Sequence, residues 1–244
     1  MGVALVGLAV GFLSGLFGKG GSAIATPLLH AIGIPAIVAV AAPLPATIPS
    51  TLVGYSAYRG TGIVDREVLR WSIAFGVPAT IAGALATQWV SGGVLISVTD
   101  AIVAVVGLRF LFGPRQPDEV VRRPSAYRLR LALVATVVGL AAGLLANSGG
   151  FLLAPLYLLF LRLPLKTSFA CSLAVAAVLA VPGTIVHAAL GHIDWAVVAV
   201  FGLTSIPLSY VGARVAIRSD PGRLERVYGA TLTLLGVTFL IAGR

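Results

Sequence analysis

The 244-residue sequence is poor in charged side chains. Asp, Glu, Lys and Arg make up 10 % of it, whereas 58 % of its residues are hydrophobic; a soluble domain of this size carries about twice that charged fraction. Whole stretches lack these four residue types, among them residues 20–58, 72–99 and 131–161. Because about 20 apolar residues suffice to cross a bilayer, the sequence predicts an all-α polytopic membrane protein.

Cysteine is almost absent. Cys171 is the only one, which excludes an internal disulfide and leaves no cysteine pair at metal-ligand spacing, so we expect neither a metal nor a cofactor. The first 17 residues lack a basic start, and no small-residue cleavage site follows them. We therefore expect them to belong to the fold rather than to a signal peptide.

Acidic residues are outnumbered by basic ones. The chain has 8 Asp and Glu against 17 Lys and Arg, a net charge of +9. Such an excess can indicate nucleic-acid binding, but here the basic residues lie between hydrophobic segments, where they indicate membrane topology. We expect a lipid bilayer around this protein and no nucleic acid as a partner.

Glycine and proline positions recur between the two halves of the chain. At an offset of 128 residues, Gly11, Gly15, Gly21 and Pro27 match Gly139, Gly143, Gly149 and Pro155. At an offset of 129, Pro35, Gly54, Gly62, Asp65, Pro78 and Gly83 match Pro164, Gly183, Gly191, Asp194, Pro207 and Gly212. Matched Gly and Pro indicate a shared chain path. The sequence therefore predicts two transmembrane repeats, 1–112 and 129–244, joined by a polar cytoplasmic linker, 113–128.

Each half contains five apolar segments. In the first half they are 1–17, 20–32, 37–58, 68–90 and 92–112, and in the second 129–146, 149–161, 165–188, 195–217 and 224–242. The second segment of each half has only about 13 residues, or about 20 Å of helix at 1.5 Å per residue, short of the ~30 Å hydrocarbon core. We expect the first two segments of each half to form a re-entrant, broken helix pair, followed by three spanning helices.

The basic residues predict the orientation. Nearly all of the 17 Lys and Arg residues fall on one side of the membrane only if the broken helix pair of each half enters and returns without a net crossing. The positive-inside rule makes that side cytoplasmic. Three crossings per half then invert the second repeat, as in many secondary transporters, and place both termini outside the cytoplasm. We expect the protein in the bacterial cytoplasmic (inner) membrane.

The two breaks carry the candidate binding site. The first, "GKGGS", consists of Gly18, Lys19, Gly20, Gly21 and Ser22, and the second, "NSGG", of Asn147, Ser148, Gly149 and Gly150. Non-helical backbone at membrane depth must be buried in protein or line a wet cavity, and helix N-termini bind anions. An unpaired intramembrane lysine is costly without a negative partner, so we hypothesise that the partner is a transported anion, with the Asn147 amide as a neutral donor. The alternative is a tight interhelical turn with Lys19 snorkelling to the headgroups.

These breaks also carry a family resemblance. The stretch "GFLSGLFGKGGSAIATPLL", 11–29, resembles the signature of the TauE/SafE sulfite exporter family, and "GLAAGLLANSGGFLLAPLY", 139–157, resembles its second copy. The resemblance covers essentially the whole chain and implies a carrier of sulfite or organosulfonate anions, with export slightly favoured. Asn147 and Ser148 depart from Lys19 and Gly20 of the first copy, so the implied site is not symmetric.

Other polar residues lie in the third segments. "APLPATIPS", 42–50, has three prolines and cannot form a straight helix. Thr47, Ser50, Ser168 and Ser172 either donate to the anion or serve helix packing and kinks. His187 is a candidate for proton coupling, or an interfacial histidine. Cys171 is a packing residue or a weak contact to a sulfur ligand, and Asp65 and Asp194 are helix N-caps.

Three functions follow from these patterns. The main one is a secondary carrier, driven by H⁺ or Na⁺ or by the substrate gradient. A passive anion channel is the alternative. An enzyme is disfavoured because the predicted spans hold no buried acidic pair and no metal-binding motif. The sequence leaves the particular sulfur anion, the direction, the coupling ion and the oligomeric state open.

Overall fold

A computed structural model describes residues 1–18, 21–86, 126–145 and 148–242, with single residues at 89, 94, 101, 105 and 108. These ranges hold ten α-helices. They are α1 (Gly2–Phe17), α2 (Ser22–Ala31), α3 (Ala36–Ala41), α4 (Pro43–Ser56), α5 (Arg66–Ala86), α6 (Tyr127–Leu144), α7 (Gly150–Leu161), α8 (Leu165–Ala189), α9 (Trp195–Arg218) and α10 (Pro221–Ala242). The described part of the chain contains no strand, which confirms the all-α prediction.

The helices follow the apolar segments closely. Five are long and apolar enough to cross a membrane: the α3–α4 unit Ala36–Ser56, α5, α6, α8 and α9. The second segment of each half is short, as expected, with 10 residues in α2 and 12 in α7. The segment 92–112 lies outside the described residues apart from four single positions.

Local chemistry sets several helix boundaries. Asp65 Oδ1 accepts hydrogen bonds from the backbone N–H groups of Glu67 (2.9 Å) and Val68 (3.2 Å) at the start of α5. Asp194 Oδ1 does the same for Ala196 (2.9 Å) and Val197 (3.1 Å) at the start of α9. Both predicted N-caps are therefore confirmed.

The proline-rich third segment of the first half is divided. Helix α3 ends at Ala41, and α4 begins at Pro43 with one residue between them. Proline fits the first helical position because no intrahelical partner awaits its missing N–H there. Residues 43–50 themselves lie within α4, which continues past Pro49 to Ser56, so the expectation that 42–50 cannot form a straight helix stays a prediction.

The helix of the first apolar segment in each half packs on the helix of the fourth apolar segment in the other half. Helix α1 runs along α9, and α6 runs along α5. Gly11 and Gly15 of α1 lie against the backbone of Ser205 and Ser209, while Gly139 and Gly143 of α6 lie against Gly76 and Thr80. Gly212 of α9 and Gly83 of α5 complete the two crossings by facing Phe12 and Leu140. Small residues let helix backbones approach closely in a membrane, so the glycines shared by the two halves build two equivalent crossings.

The third helices form the centre of the structure. Helix α4 packs on α8. Each of them also packs on a helix of the opposite half, α4 on α9 and α8 on α5. Helix α8 additionally carries the short helix α7. Most of the apolar side chains of α8 are buried, including Phe169, Leu173 and Leu179. This central helix is the element against which both breaks lie.

Candidate functional site

The first break begins with a left-handed glycine. Helix α1 ends at Phe17, and Gly18 adopts φ 64° and ψ 25°, with its N–H donating to the Ser14 carbonyl. Glycine reaches this conformation without the clash that a Cβ would cause. Gly21 then precedes α2, and a Cβ on it would lie 2.5 Å from Val10 Cγ1. The chain thus turns back along the helix it has just left.

The second break shares the packing of the first but not the backbone conformation of its matched glycine, since Gly21 has φ −62°. Gly149 adopts φ 71° before α7, and a Cβ on it would lie 2.9 Å from Val138 Cγ1. Gly21 and Gly149 are matched positions of the two halves, as are Val10 and Val138. Each break glycine therefore packs against the same valine of its own first helix, which the glycine pattern alone did not indicate.

Both breaks contact α8 within one turn. A Cβ on Gly18 would lie 2.7 Å from the carbonyl oxygen of Phe169, and Ser172 Oγ donates to the Gly150 carbonyl at 3.1 Å. Phe169 and Ser172 are separated by three residues, or about 4.5 Å along a helix. The sequence did not single out Phe169; its position one residue after Ser168 in a candidate segment was the only available signal.

The described part of the site is deeply buried. Ser148 is 0 % exposed, and Gly21, Gly149 and Gly150 are buried as well. Lys19, Gly20 and Asn147 lie outside the described residues, and Ser22 is described only as the first residue of α2. The roles assigned to these residues remain predictions.

The four candidate hydroxyl groups all donate to backbone carbonyls. Thr47 Oγ1 donates to Pro43 at 2.9 Å and Ser172 Oγ to Gly150 at 3.1 Å, whereas Ser50 Oγ reaches Ser205 at 3.4 Å and Ser168 Oγ reaches Leu163 at 3.5 Å. A hydroxyl has one proton to donate, so each group would have to leave its carbonyl to bind an anion. The bonds of Ser50 and Ser168 are long and therefore weak, which makes these two the easier to redirect.

His187 has a partner that the sequence did not indicate. Its ring is buried near the end of α8, and its Nδ1 lies 3.1 Å from Nδ1 of His192, which follows the helix. One of the two nitrogens must carry a hydrogen for this contact to be a hydrogen bond. His30, in contrast, is exposed and contacts the Ile34 carbonyl through Nδ1. The proton-coupling role of His187 stays a prediction.

Cys171 is a packing residue in this structure. It is 0 % exposed, and its Sγ accepts a hydrogen bond from the Asp65 N–H at 3.4 Å. This contact ties the middle of α8 to the start of α5. Among the described residues, no group of three His, Cys, Asp or Glu side chains could hold a metal ion.

Membrane-length helices around two short, broken ones define a class of protein. Helices interrupted at a binding site are typical of secondary transporters, and the described residues hold two such breaks beside five membrane-length helices. The fold and the site together are those of an integral membrane transporter. Comparison with known proteins identifies the family.

A family model described as "Sulfite exporter TauE/SafE" matches residues 3–239, and the chain belongs to this family. It is 26 % identical over 240 residues to a "Probable membrane transporter protein" of Xylella fastidiosa (strain 9a5c), covering 93 % of this chain and 90 % of that one. It is 23 % identical over 250 residues to the "Probable membrane transporter protein YjnA" of Bacillus subtilis (strain 168), covering 98 % of both chains. No solved structure matches the chain.

Proposed function

We propose that this protein is a secondary carrier of a small sulfur-containing anion, such as sulfite or an organosulfonate, bound between the two breaks. The observation that carries the proposal is that both breaks contact α8 within one turn, at Phe169 and Ser172. We propose that the N-termini of α2 and α7 face one site beside α8, where each contributes partial positive charge and backbone N–H groups. An oxyanion is the ligand that such donors select.

Charge on the substrate also removes an energetic problem. Lys19 lies between α1 and α2, in a stretch from residue 1 to residue 64 without any acidic side chain. An unpaired cation inside the membrane is costly, and a bound anion offsets that cost. We assign Lys19 the charge contact and Asn147 a neutral donor, with Ser50 and Ser168 as hydroxyls able to turn toward the anion.

The orientation belongs to the same proposal. The two equivalent crossings, α1 on α9 and α6 on α5, support two repeats related by a two-fold axis, and the basic loops support the inverted arrangement. We propose that both termini face the outside of the cytoplasmic membrane and that export is the physiological direction. His187 and its partner His192 are the candidates for coupling to H⁺, with Na⁺ as the alternative ion.

Binding and transport can be tested in proteoliposomes. We expect wild-type protein to exchange labelled sulfite or sulfoacetate by counterflow, with a saturable rate, and we expect Lys19→Ala to abolish binding. Lys19→Arg keeps the charge and should retain part of the exchange. Arg130→Gln is the matched control, because Arg130 is an exposed cation on α6 that borders an apolar groove instead of a break.

The outcomes separate the candidate functions. Counterflow that depends on Lys19 supports the carrier. Large single-channel currents without counterflow would favour the passive anion channel. Wild-type affinity in Lys19→Ala would contradict the role of that residue, and the absence of flux for every sulfur anion tested would contradict the substrate class.

A further inference from the structure

We propose that a basic cavity between the two halves captures the anion on the cytoplasmic side before it reaches the breaks. The cavity has a volume of about 780 Å³ and is lined by residues 62–66, residues 163–167 and Pro221. This inference rests on the proposed function for the identity of its ligand. Nothing in the family assignment concerns this cavity.

The cavity carries two cations and one acid. Arg66, Lys166 and Asp65 are its charged lining residues. The Asp65 carboxylate accepts hydrogen bonds from two N–H groups of α5. Lys166 Nζ donates to the Ile217 carbonyl at 2.7 Å, which is a neutral acceptor. Arg66 is exposed. The lining is therefore positive, which suits an anionic ligand.

The wall of the cavity leads to the first break. Leu165 lines the cavity, and Phe169, one turn further along α8, contacts Gly18. One turn is about 5.4 Å. Residues 62–66, which form the opposite wall of the cavity, also contact α8, because the Asp65 N–H donates to Cys171 Sγ at 3.4 Å. The cavity lining at Leu165 thus lies about one helical turn along α8 from the contact between Phe169 and the first break.

A cavity of this kind changes the rate of arrival more than the final affinity. Clefts lined by one sign of charge raise the local concentration and the on-rate of oppositely charged ligands by about 10- to 1,000-fold. Two partly exposed cations account for the low end of that range, because salt screens charges beyond a Debye length of about 10 Å at 0.1 M.

The first experiment measures transport from each face. In inside-out vesicles we expect the double variant Arg66→Gln/Lys166→Gln to raise the apparent KM for sulfoacetate about fivefold at low salt, with maximal rate retained and the difference shrinking as salt increases. Gln at 166 keeps a donor for the Ile217 carbonyl. The single variants Arg66→Gln and Lys166→Gln are compared with Arg130→Gln, which removes one positive charge outside the cavity, and KM from the opposite face should stay constant. An unchanged KM from the cytoplasmic face would overturn the proposal.

The second experiment does not depend on transport. Thr167 lines the cavity and is half-buried, and a Thr167→Cys variant in a Cys171→Ser background carries a single thiol. We expect an anionic methanethiosulfonate reagent to modify it faster than a cationic one, after normalisation to a free thiol. The double charge variant should reduce this ratio at least threefold, and sulfoacetate should slow the reaction.

The two experiments distinguish the two ways of failing. Equal rates for the two reagents would overturn the capture cavity even if transport is normal. A strong preference for the anionic reagent and protection by sulfoacetate, together with no flux in the wild type, would contradict the carrier function and leave the anion cavity supported.

Discussion

The crossing of α1 and α9 allows a sharp test of the architecture. An alanine at Gly15 would place its Cβ 2.7 Å from the carbonyl carbon of Ser209 and 2.8 Å from the nitrogen of Ala213. Ordinary contacts of this kind begin near 3.4 Å. Both neighbours are backbone atoms, which cannot move by a change of rotamer. The Ser209 carbonyl oxygen lies nearer still, so the two helices would have to separate by at least about 1 Å.

The loss of stability in Gly15→Ala follows from overpacking. Extra methyl groups in a well-packed site destabilise by about 1–3 kcal/mol, and backbone neighbours place Gly15→Ala near the upper end. Because alanine favours the helix over glycine by about 1 kcal/mol, we expect the free energy of unfolding to fall by about 2 kcal/mol in total. For a protein of this size that lowers Tm by about 4–8 °C, measurable by thermal unfolding in detergent.

Gly202→Ala is the matched control. Gly202 lies on α9, where a Cβ would meet Ala46 Cβ at 3.4 Å, within ordinary contact distance. We expect Tm to be unchanged or slightly raised. Gly143→Ala should resemble Gly15→Ala, because Gly143 occupies the matched position in the crossing of α6 and α5. A Tm for Gly15→Ala equal to that of Gly202→Ala would refute this account of the crossing.

Two further predictions concern a helix cap and the topology. Asp194→Ala removes the side-chain acceptor for two N–H groups of α9 and should lower the free energy of unfolding by about 1 kcal/mol, or Tm by about 2–4 °C. Asp194→Asn should restore most of this stability. Equal Tm values for the wild type and both variants would contradict the capping role. Alkaline phosphatase fused to the C-terminus should be active and fused green fluorescent protein dark, because both termini are proposed to face outward; the reverse pattern would contradict the outward placement of the C-terminus.

The sequence predicted the helices well because two strong signals agreed. Apolar length marked each span, and capping residues such as Asp65 and Asp194 marked where α5 and α9 begin. The short second segments were also foreseen, since a run of 13 residues cannot reach across the hydrocarbon core. These are local properties, and a chain reveals them without knowledge of its partners.

The partners of each helix were not foreseeable, because the repeat makes the pattern degenerate. Gly11 and Gly15 of α1 could pack on Gly76 and Thr80 of their own half as readily as on Ser205 and Ser209, since all four partners are small. The structure selects the other half in both cases. This choice has a consequence for the site, because the helix that precedes each break, α1 or α6, is held by a helix of the opposite half. The second break and α8 belong to the same half, where Ser172 bonds to Gly150, whereas the first break reaches α8 across the two halves, through Gly18 and Phe169. A displacement between the halves would therefore move the first break relative to α8 and to the second break, which is the relative motion that would open and close a site between two repeats.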